Sequence, residues 1–497
     1  MPKRYVVALD QGTTSSRAML VDARGRVVDA VQNPFPQIYP RPGWVEHDPR
    51  DILSSQLGAL TELLVARNLG PDDIDSIGIT NQRETTIVWN RETGEPVMNA
   101  IVWQCRRTAP LIEQIAADPA VVREIADRTG LVPDAYFSAS KVKWILDNLE
   151  GARQDAEEGK LAFGTVDSWL VWSLTQGRVH ATDVTNASRT MLFNIHDMRW
   201  DPWLLDLFDV PASMLPEVRP SSGEFGRAAN PGIAPGVPIC GVAGDQQAAL
   251  FGQCCFEAGQ AKNTYGTGCF LLMHTGFEAC RSNHGLVTTI AASRPGVEAP
   301  EYALEGSVFV AGALIQWLRD ELGLIDTADE TDALARSVEG TDGVYVVPAF
   351  TGLGAPYWDA DARGAVYGLT RGTTRAQLVR AALESLAYQV HDLAVAMEAD
   401  AGVPLRALNV DGGASANDFL MQFQSDLLQC ELRRPQNTET TALGAAFLAG
   451  LATGFWKDAE ILCELRSSDE HFAPSMDDAR REALLEGWRR AVRKTMG

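Results

Sequence analysis

Five apolar or aromatic positions in a row, Tyr5-Val6-Val7-Ala8-Leu9, give way to the polar stretch Asp10-Gln11-Gly12-Thr13-Thr14-Ser15-Ser16-Arg17. The apolar pattern then resumes at Ala18-Met19-Leu20-Val21. Two short apolar runs around a glycine predict a strand, a tight turn and a second strand. About half a chain later the rhythm returns: β-favouring residues from Ala261 to Tyr265, the turn Gly266-Thr267-Gly268, then Cys269 to Met273. That recurrence predicts two structurally similar halves. Between them, residues 74–80 and 85–89 read as strands flanking the turn Asn81-Gln82-Arg83-Glu84. Residues 140–149 read as a helix with Val142, Ile145 and Leu149 at helical spacing. The Pro/Gly-rich passage from Pro220 to Pro238 reads as loop. An apolar strand follows from Pro238 and ends on Gly244-Asp245, with a helix beginning near Gln247. From Arg480 to Met496, Leu484, Leu485, Trp488, Ala491 and Val492 share one helical face, fit to pack on the second half. Strands and helices alternate throughout, which marks an α/β fold.

At 497 residues the chain exceeds one compact core and calls for two large domains. A net charge of −22 disfavours nucleic acid and anionic membrane as partners, because neither would release counterions to such a surface. No apolar run is long enough to span a bilayer, and no secretory h-region precedes the first strand, so the expected compartment is the cytoplasm. The eight cysteines show no Cys-x-x-Cys spacing and read mostly as reduced, buried thiols. The seven histidines are scattered, with no zinc-binding pattern.

Three glycine-flanked acidic segments carry the candidate chemistry: Leu9 to Arg17, Gly244-Asp245-Gln246-Gln247, and Val410-Asp411-Gly412-Gly413-Ala414-Ser415-Ala416-Asn417. Backbone N–H groups and Thr/Ser hydroxyls in the first turn can surround phosphate oxygens, while a strand-end aspartate such as Asp10 suits a hydrated divalent cation. No Lys-Ser/Thr pair follows the turn and no helix starts there, so it is not a Walker loop. Asp245, beside a glycine at a strand end, can approach a small substrate and accept a hydroxyl proton during phosphoryl transfer. Arg83-Glu84 pairs a donor-only with an acceptor-only side chain, a combination matched to hydroxyls that do both. Trp103 and Phe270 can wall the carbon chain of such a polyol, although core packing explains each aromatic equally well.

These residues resemble the glycerol kinases of the FGGY carbohydrate-kinase family, within the larger actin, hexokinase and chaperone ATPase fold. The resemblance rests on Ala8 to Arg17, Pro42-Gly43-Trp44-Val45-Glu46-His47-Asp48-Pro49, Ile79 to Thr86 and Val102 to Arg107. It continues through Tyr136 to Asn148, Gly244 to Gln253, Lys262 to Phe270, Gly352 to Trp358 and Val410 to Gly413, and so covers essentially the whole chain. It implies a two-domain fold with a duplicated core and an interdomain cleft, residues 1–253 holding the glycerol site and phosphate hairpin and residues 254–497 the nucleotide site. It implies MgATP as cofactor and phosphorylation of glycerol to sn-glycerol 3-phosphate, in a homo-oligomer (dimer or tetramer). By matched position, Arg83, Glu84, Tyr136, Asp245 and Gln246 would hold glycerol against Trp103 and Phe270, with Asp245 as base. Asp10 and Asp245 would lie near Mg²⁺. Thr13, Thr14, Ser15, Arg17 and Thr267 would face the phosphates, Gly312 and Gln316 would line the nucleotide site, and Gly413 and Asn417 would meet the adenosine end. The rivals are a kinase for another polyol or sugar of the same family and an actin- or chaperone-like ATPase. Two regulatory devices of some bacterial members lack their residues here. The passage Gly232 to Pro238 has no arginine for a fructose 1,6-bisphosphate loop, and no histidine lies between His196 and His274.

Overall fold

The alternation at the start of the chain becomes a hairpin: β1 (Tyr5–Gln11) and β2 (Ser15–Asp22) pair antiparallel, with Asp10 opposite Arg17. The computed structural model describes residues 3–230, 233–359, 361–466 and 469–496. Among the described residues, two large mixed sheets organise the two halves. The first adds β3 (Val27–Pro34), β4 (Ile74–Asn81), β5 (Ser222–Arg227) and β6 (Pro238–Gly244), in the order β5-β6-β4-β1-β2-β3. The second comprises β7 (Gln260–Tyr265), β8 (Cys269–Gly276), β9 (Val287–Ile290), β10 (Tyr302–Val308), β11 (Ala407–Asp411), β12 (Glu431–Arg434) and β13 (Glu470–Phe472), in the order β9-β10-β8-β7-β11-β12-β13.

Apart from the extra edge strand β9, the sheets match strand for strand. β1 pairs antiparallel with β2 and parallel with β4, as β7 does with β8 and β11. β2·β3 and β8·β10 are antiparallel, β4·β6 and β11·β12 parallel, and β6·β5 and β12·β13 antiparallel. The recurrence of two hairpins in the sequence therefore marks a duplicated α/β core.

Eight helices matter below: α1 (Ser138–Asn148), α2 (Asp245–Gly252), α3 (Gly312–Asp320), α4 (Arg375–Ala401), α5 (Asp418–Leu428), α6 (Thr440–Thr453), α7 (Ala459–Glu464) and α8 (Asp478–Met496). On α8 the indole of Trp488 stacks on Tyr388 of α4 at 5.2 Å and 13°, and its N–H donates to Asp392 at 2.6 Å. The apolar face read from Leu484 to Val492 thus covers the second half.

The loop expected across Pro220 to Pro238 contains a strand instead. β5 is an edge strand whose one buried residue is Phe225, so it carries no apolar run that sequence could show. Pro231 and Gly232 of the same passage lie outside the described residues.

Helix α6 follows β12 of the second sheet yet packs on the first. Ala442, Ala445, Ala446, Leu448 and Ala449 join Val6, Ala8, Met19, Val21 and Ala243 in one core cluster. A helix that is apolar all round belongs in an interior, and its small residues let it approach backbone directly. A Cβ on Gly78 of β4 would sit 2.1 Å from the Ala445 carbonyl oxygen, and one on Gly444 would sit 1.8 Å from that of Ala248 on α2. The chain consequently passes between the halves three times: from α2 to β7, from β12 to α6, and from α7 to β13.

Gly444→Ala should destabilise the protein by about 1–3 kcal/mol through overpacking against backbone that cannot rotate away. Gly70→Ala, where a Cβ meets nothing within 4 Å, should stay within about 0.5 kcal/mol of wild type. Urea unfolding of both variants measures the contrast, and equal midpoints would show that the seam yields.

Candidate active site

The β1–β2 turn closes with the Gly12 N–H donating to the Ser15 carbonyl at 2.9 Å. The indole N–H of Trp103 donates to the Thr13 hydroxyl at 3.1 Å, which ties the candidate apolar wall to the candidate phosphate turn. Ser15 Oγ accepts from Gln32 at 2.6 Å, and Thr14 is exposed. Arg17 donates to Gln32 Oε1 at 2.8 Å and pairs with Glu439, the residue just before α6.

Asp10 stands apart. Its carboxylate makes no hydrogen bond or ion pair among the described residues. Burial pushes its pKa up to about 6, against the pull of Arg17 and with a further push from Asp245. An acidic oxygen donor without a protein cation suits a hard divalent ion. No group of three His, Cys, Asp or Glu residues could hold a metal among the described residues. Asp10 and Asp245 are thus too few to enclose a divalent ion by themselves.

The Gly266-Thr267-Gly268 turn is bolted to the start of α3. Ala311 and Ala313 N–H groups donate to the Thr267 carbonyl at 2.8 and 3.1 Å, and Gly312 N–H to that of Gly266 at 3.0 Å. A Cβ on Gly312 would lie 2.6 Å from the Gly266 oxygen. Thr267 and Gln316 are exposed beside it. At the third glycine segment, Gly412 (φ +84°) brings the chain so close to β7 that a Cβ would fall 2.5 Å from the Tyr265 carbonyl oxygen, while nothing stands within 4 Å of one on Gly413. Asp411 accepts from Gln253 at 2.9 Å and from the Thr440 hydroxyl. Asn417 caps α5, accepting from Leu420 N–H at 2.9 Å and donating to Thr331 at 3.0 Å.

The polyol candidates meet in a buried charge network. β4 ends at Asn81, and the chain runs on through the interior: Arg83, Glu84, Arg189 and Glu305 are all 3% exposed or less. The Arg83 guanidinium grips Glu305 bidentately at 2.6 and 3.0 Å, donates to Gln247 at 3.2 Å, and places Nε 3.1 Å from Asp245. Arg189 donates to Glu84 at 2.6 Å and to Glu305 at 3.1 Å, and its Nη1 has no hydrogen-bond partner among the described residues. Burial works against the Glu305 carboxylate, but Arg189 and Arg83 overcome it and hold its pKa at about 2. Burial pushes Glu84 up, with both arginines opposing. Glu84 also sits at φ +60°, a left-handed conformation that a non-glycine residue adopts only where its surroundings impose it. Gly244 is required beside it, since a Cβ would lie 2.7 Å from the Arg83 stem.

Trp103 meets Tyr136 edge to face at 5.5 Å, and the Arg189 guanidinium lies 5.6 Å from the Tyr136 ring centre. Lys141 of α1 donates to the carbonyls of Ala135, Tyr136 and Phe137 at 2.7, 2.5 and 3.0 Å, which fixes the segment carrying Tyr136; burial pulls its pKa down to about 7. Lys262 donates to Gln246 and to Thr264, the latter at 3.0 Å. Phe270 of β8 is half-buried, opposite Thr264 and Ser307. Asp245, Gln246, Arg83, Glu84, Tyr136 and Trp103 are thus linked by contacts, whereas Asn417 and Asp411 have their side chains committed to structural partners. The sequence reading missed Arg189 and Glu305. The available signal for Glu305 was a lone charge inside the apolar strand β10; Arg189 offered none.

The chain matches the model of the FGGY family of carbohydrate kinases, N-terminal domain, over residues 5–252 and the C-terminal domain over residues 261–453. It is 57% identical over 494 residues to a glycerol kinase of Clostridium botulinum (strain 657 / Type Ba4) and 56% identical over 493 residues to one of Thermoanaerobacter sp. (strain X514), covering 99% of both chains in each case. Among solved structures it is similar to Plasmodium falciparum glycerol kinase with ADP, at 38% identity and a TM-score of 0.94, covering 99% of this chain and 98% of that one. A ligand-bound xylulose kinase from Lactobacillus acidophilus shares the fold, with a TM-score of 0.86 at 21% identity and coverage of 97% and 95%.

A carboxylate whose folded-state pKa is raised favours the native state while protonated, and that contribution is lost as pH rises through the folded value, here about 6. Asp10→Asn should therefore raise the melting temperature of the metal-free protein at pH 7.5 and raise it less at pH 5, which lies between the unfolded value of 3.8 and the folded value of about 6. Thermal unfolding in EDTA at both pH values tests this; an Asn variant less stable at pH 7.5 would contradict it.

Proposed function

The chain belongs to the FGGY family of carbohydrate kinases, and from that premise we propose that it transfers the γ-phosphoryl group of ATP to a terminal hydroxyl of glycerol, yielding sn-glycerol 3-phosphate and ADP. The observation that carries the reading is the constellation of Arg83, Glu84, Tyr136 and Asp245 beside the Trp103 ring. There donor-only Arg83 stands 3.1 Å from acceptor-only Asp245, and Trp103 meets Tyr136 edge to face. Glu84 Oε1 accepts from Arg189, and in this reading the carboxylate would also accept from a glycerol hydroxyl. Such a site rejects analogues lacking a hydroxyl, because buried charged partners would be left unpaired.

In this mechanism Asp245 accepts the hydroxyl proton as the glycerol oxygen attacks phosphorus in line. Arg83 Nε, 3.1 Å from Asp245 Oδ1, orients that carboxylate. Lys262 holds the Gln246 amide, and Lys141 holds the Tyr136 backbone. The N–H groups and hydroxyls of Thr13, Thr14, Ser15 and Thr267 receive the phosphates from both halves, with Arg17 available once its pair with Glu439 opens, and Gly312, Gln316, Gly413 and Asn417 lie along the nucleotide. Mg²⁺, held by Asp10 and Asp245 through water, would neutralise phosphate charge. Closing the halves excludes water from the γ-phosphate. We read residues 1–253 and 254–497 as the two domains of this architecture, in a cytoplasmic homo-oligomer (dimer or tetramer).

A coupled assay for glycerol 3-phosphate from glycerol and MgATP tests the assignment. Turnover on xylulose or gluconate with none on glycerol would overturn it, as would ATP hydrolysis without a phosphorylated product. Asp245→Asn should lower kcat by about 10²- to 10⁴-fold while ADP still shifts the melting temperature. Arg83→Ala and Glu305→Gln should chiefly raise KM for glycerol; an unchanged glycerol dependence in both would move the polyol site elsewhere.

A further inference from the structure

The four residues from Gln82 to Thr85 divide their side chains between two tasks. Arg83 and Glu84 enter the charge network, whereas Gln82 and Thr85, which bracket them, bond to each other: the Thr85 hydroxyl donates to Gln82 Oε1 at 2.9 Å. From that bond contacts run in two directions. The Gln82 amide donates to the Gly12 carbonyl at 3.1 Å and to Gln11 Oε1 at 3.0 Å, and its backbone N–H donates to the Gln11 carbonyl at 2.8 Å. On the other side, Thr85 Oγ1 accepts from the backbone N–H of Trp103 at 3.2 Å. Gln11, Gln82 and Thr85 are all buried.

A second line reaches the same turn. Buried His47 donates from Nε2 to Gln37 Oε1 at 2.8 Å, and Gln37 donates to the Thr13 carbonyl at 3.0 Å. The Gly12 and Thr13 carbonyls of the candidate phosphate turn are therefore both held by side chains. A trans peptide directs its N–H away from its C=O, so these bonds also set the direction of the Thr13 and Thr14 N–H groups. Neither N–H donates to another backbone group among the described residues.

We propose that Gln82 and Thr85 are positioning residues for the phosphoryl transfer, a relay that fixes the phosphate turn relative to the Trp103 wall and so aligns the γ-phosphate with the hydroxyl that attacks it. This role belongs to the reaction proposed above and rests on it. The Trp103 indole and the Thr13 hydroxyl span the same gap at 3.1 Å, but they join two side chains that can rotate. The relay instead ties main chain to main chain, from the Gly12 carbonyl to the Trp103 N–H, and thus fixes the frames from which those side chains extend. A misplacement on the order of 1 Å between reacting groups can cost about 100-fold in rate. Each ligand bound alone still meets its own part of the site. A purely structural role for the same bonds predicts lower stability with an unaltered rate per folded molecule.

The test compares Thr85→Val, which removes the hydroxyl and keeps the branched shape, with Thr85→Ser, which keeps the hydroxyl, and breaks the relay at its other member with Gln82→Met. In full-length protein, with rates normalised to the fraction that binds ADP, Thr85→Val and Gln82→Met should each lower kcat for glycerol phosphorylation by about 10- to 100-fold. Glycerol and ADP, titrated separately by calorimetry, should bind within about 2-fold of wild type, and Thr85→Ser should retain kcat within about 3-fold. If Thr85→Val does not fold, Gln82→Met decides the matter. Wild-type kcat in the relay variants, an effect confined to KM, or a loss in Thr85→Ser equal to that in Thr85→Val would overturn the proposal. Wild-type protein that leaves glycerol unphosphorylated would remove the reaction and the relay's role with it, a failure visible before any variant is made.

Discussion

Everything at the candidate site depends on a constraint of burial: four charged side chains, Arg83, Glu84, Arg189 and Glu305, sit in the interior and must satisfy one another. Taking such groups out of water is strongly unfavourable unless geometry and hydrogen bonding compensate. Glu305 is what makes the arrangement hold, since one carboxylate from the second sheet accepts from both arginines of the first half. The same bonds that anchor the polyol candidates also join the two halves. Under the proposed function, closure and substrate recognition would draw on a single set of interactions. The left-handed backbone at Glu84 persists because this network leaves it no alternative.

The sequence exposed the features that are local in character. Two hairpins were legible because apolar runs of strand length flank glycine turns, and their repetition announced the duplicated core. Gly244-Asp245 was legible because a glycine and a carboxylate end an apolar strand, and Arg83-Glu84 because a donor-only side chain stands next to an acceptor-only one in a turn. What stayed hidden depends on distance along the chain. Arg83 and Glu305 are 222 residues apart, and nothing near Glu305 distinguishes a clamp from an interrupted strand. β5 stayed hidden for another reason: an edge strand with one buried side chain has no alternation to display. The Asp411 segment looked like a further piece of the nucleotide site, and its carboxylate is occupied by Gln253 and Thr440 at the base of the junction.

Helix α6 shows how composition can specify location more than conformation. Its alanines and glycines bring backbone against backbone on β4 and α2, where a single added carbon would collide with a carbonyl. Contacts of that kind leave little room for sliding between α6 and the first sheet.

Because α6 comes late in the sequence but completes the first half, neither half is finished by a contiguous stretch of chain. A ribosome that has released only residues 1–253 has made a sheet whose Val6, Ala8, Met19, Val21 and Ala243 still face water. That face is covered only once residues 440–453 emerge. Co-translational folding of the first half is thus deferred until nearly the whole polypeptide exists, and the nascent chain is most exposed to chaperones, or to aggregation, during the synthesis of its own partner.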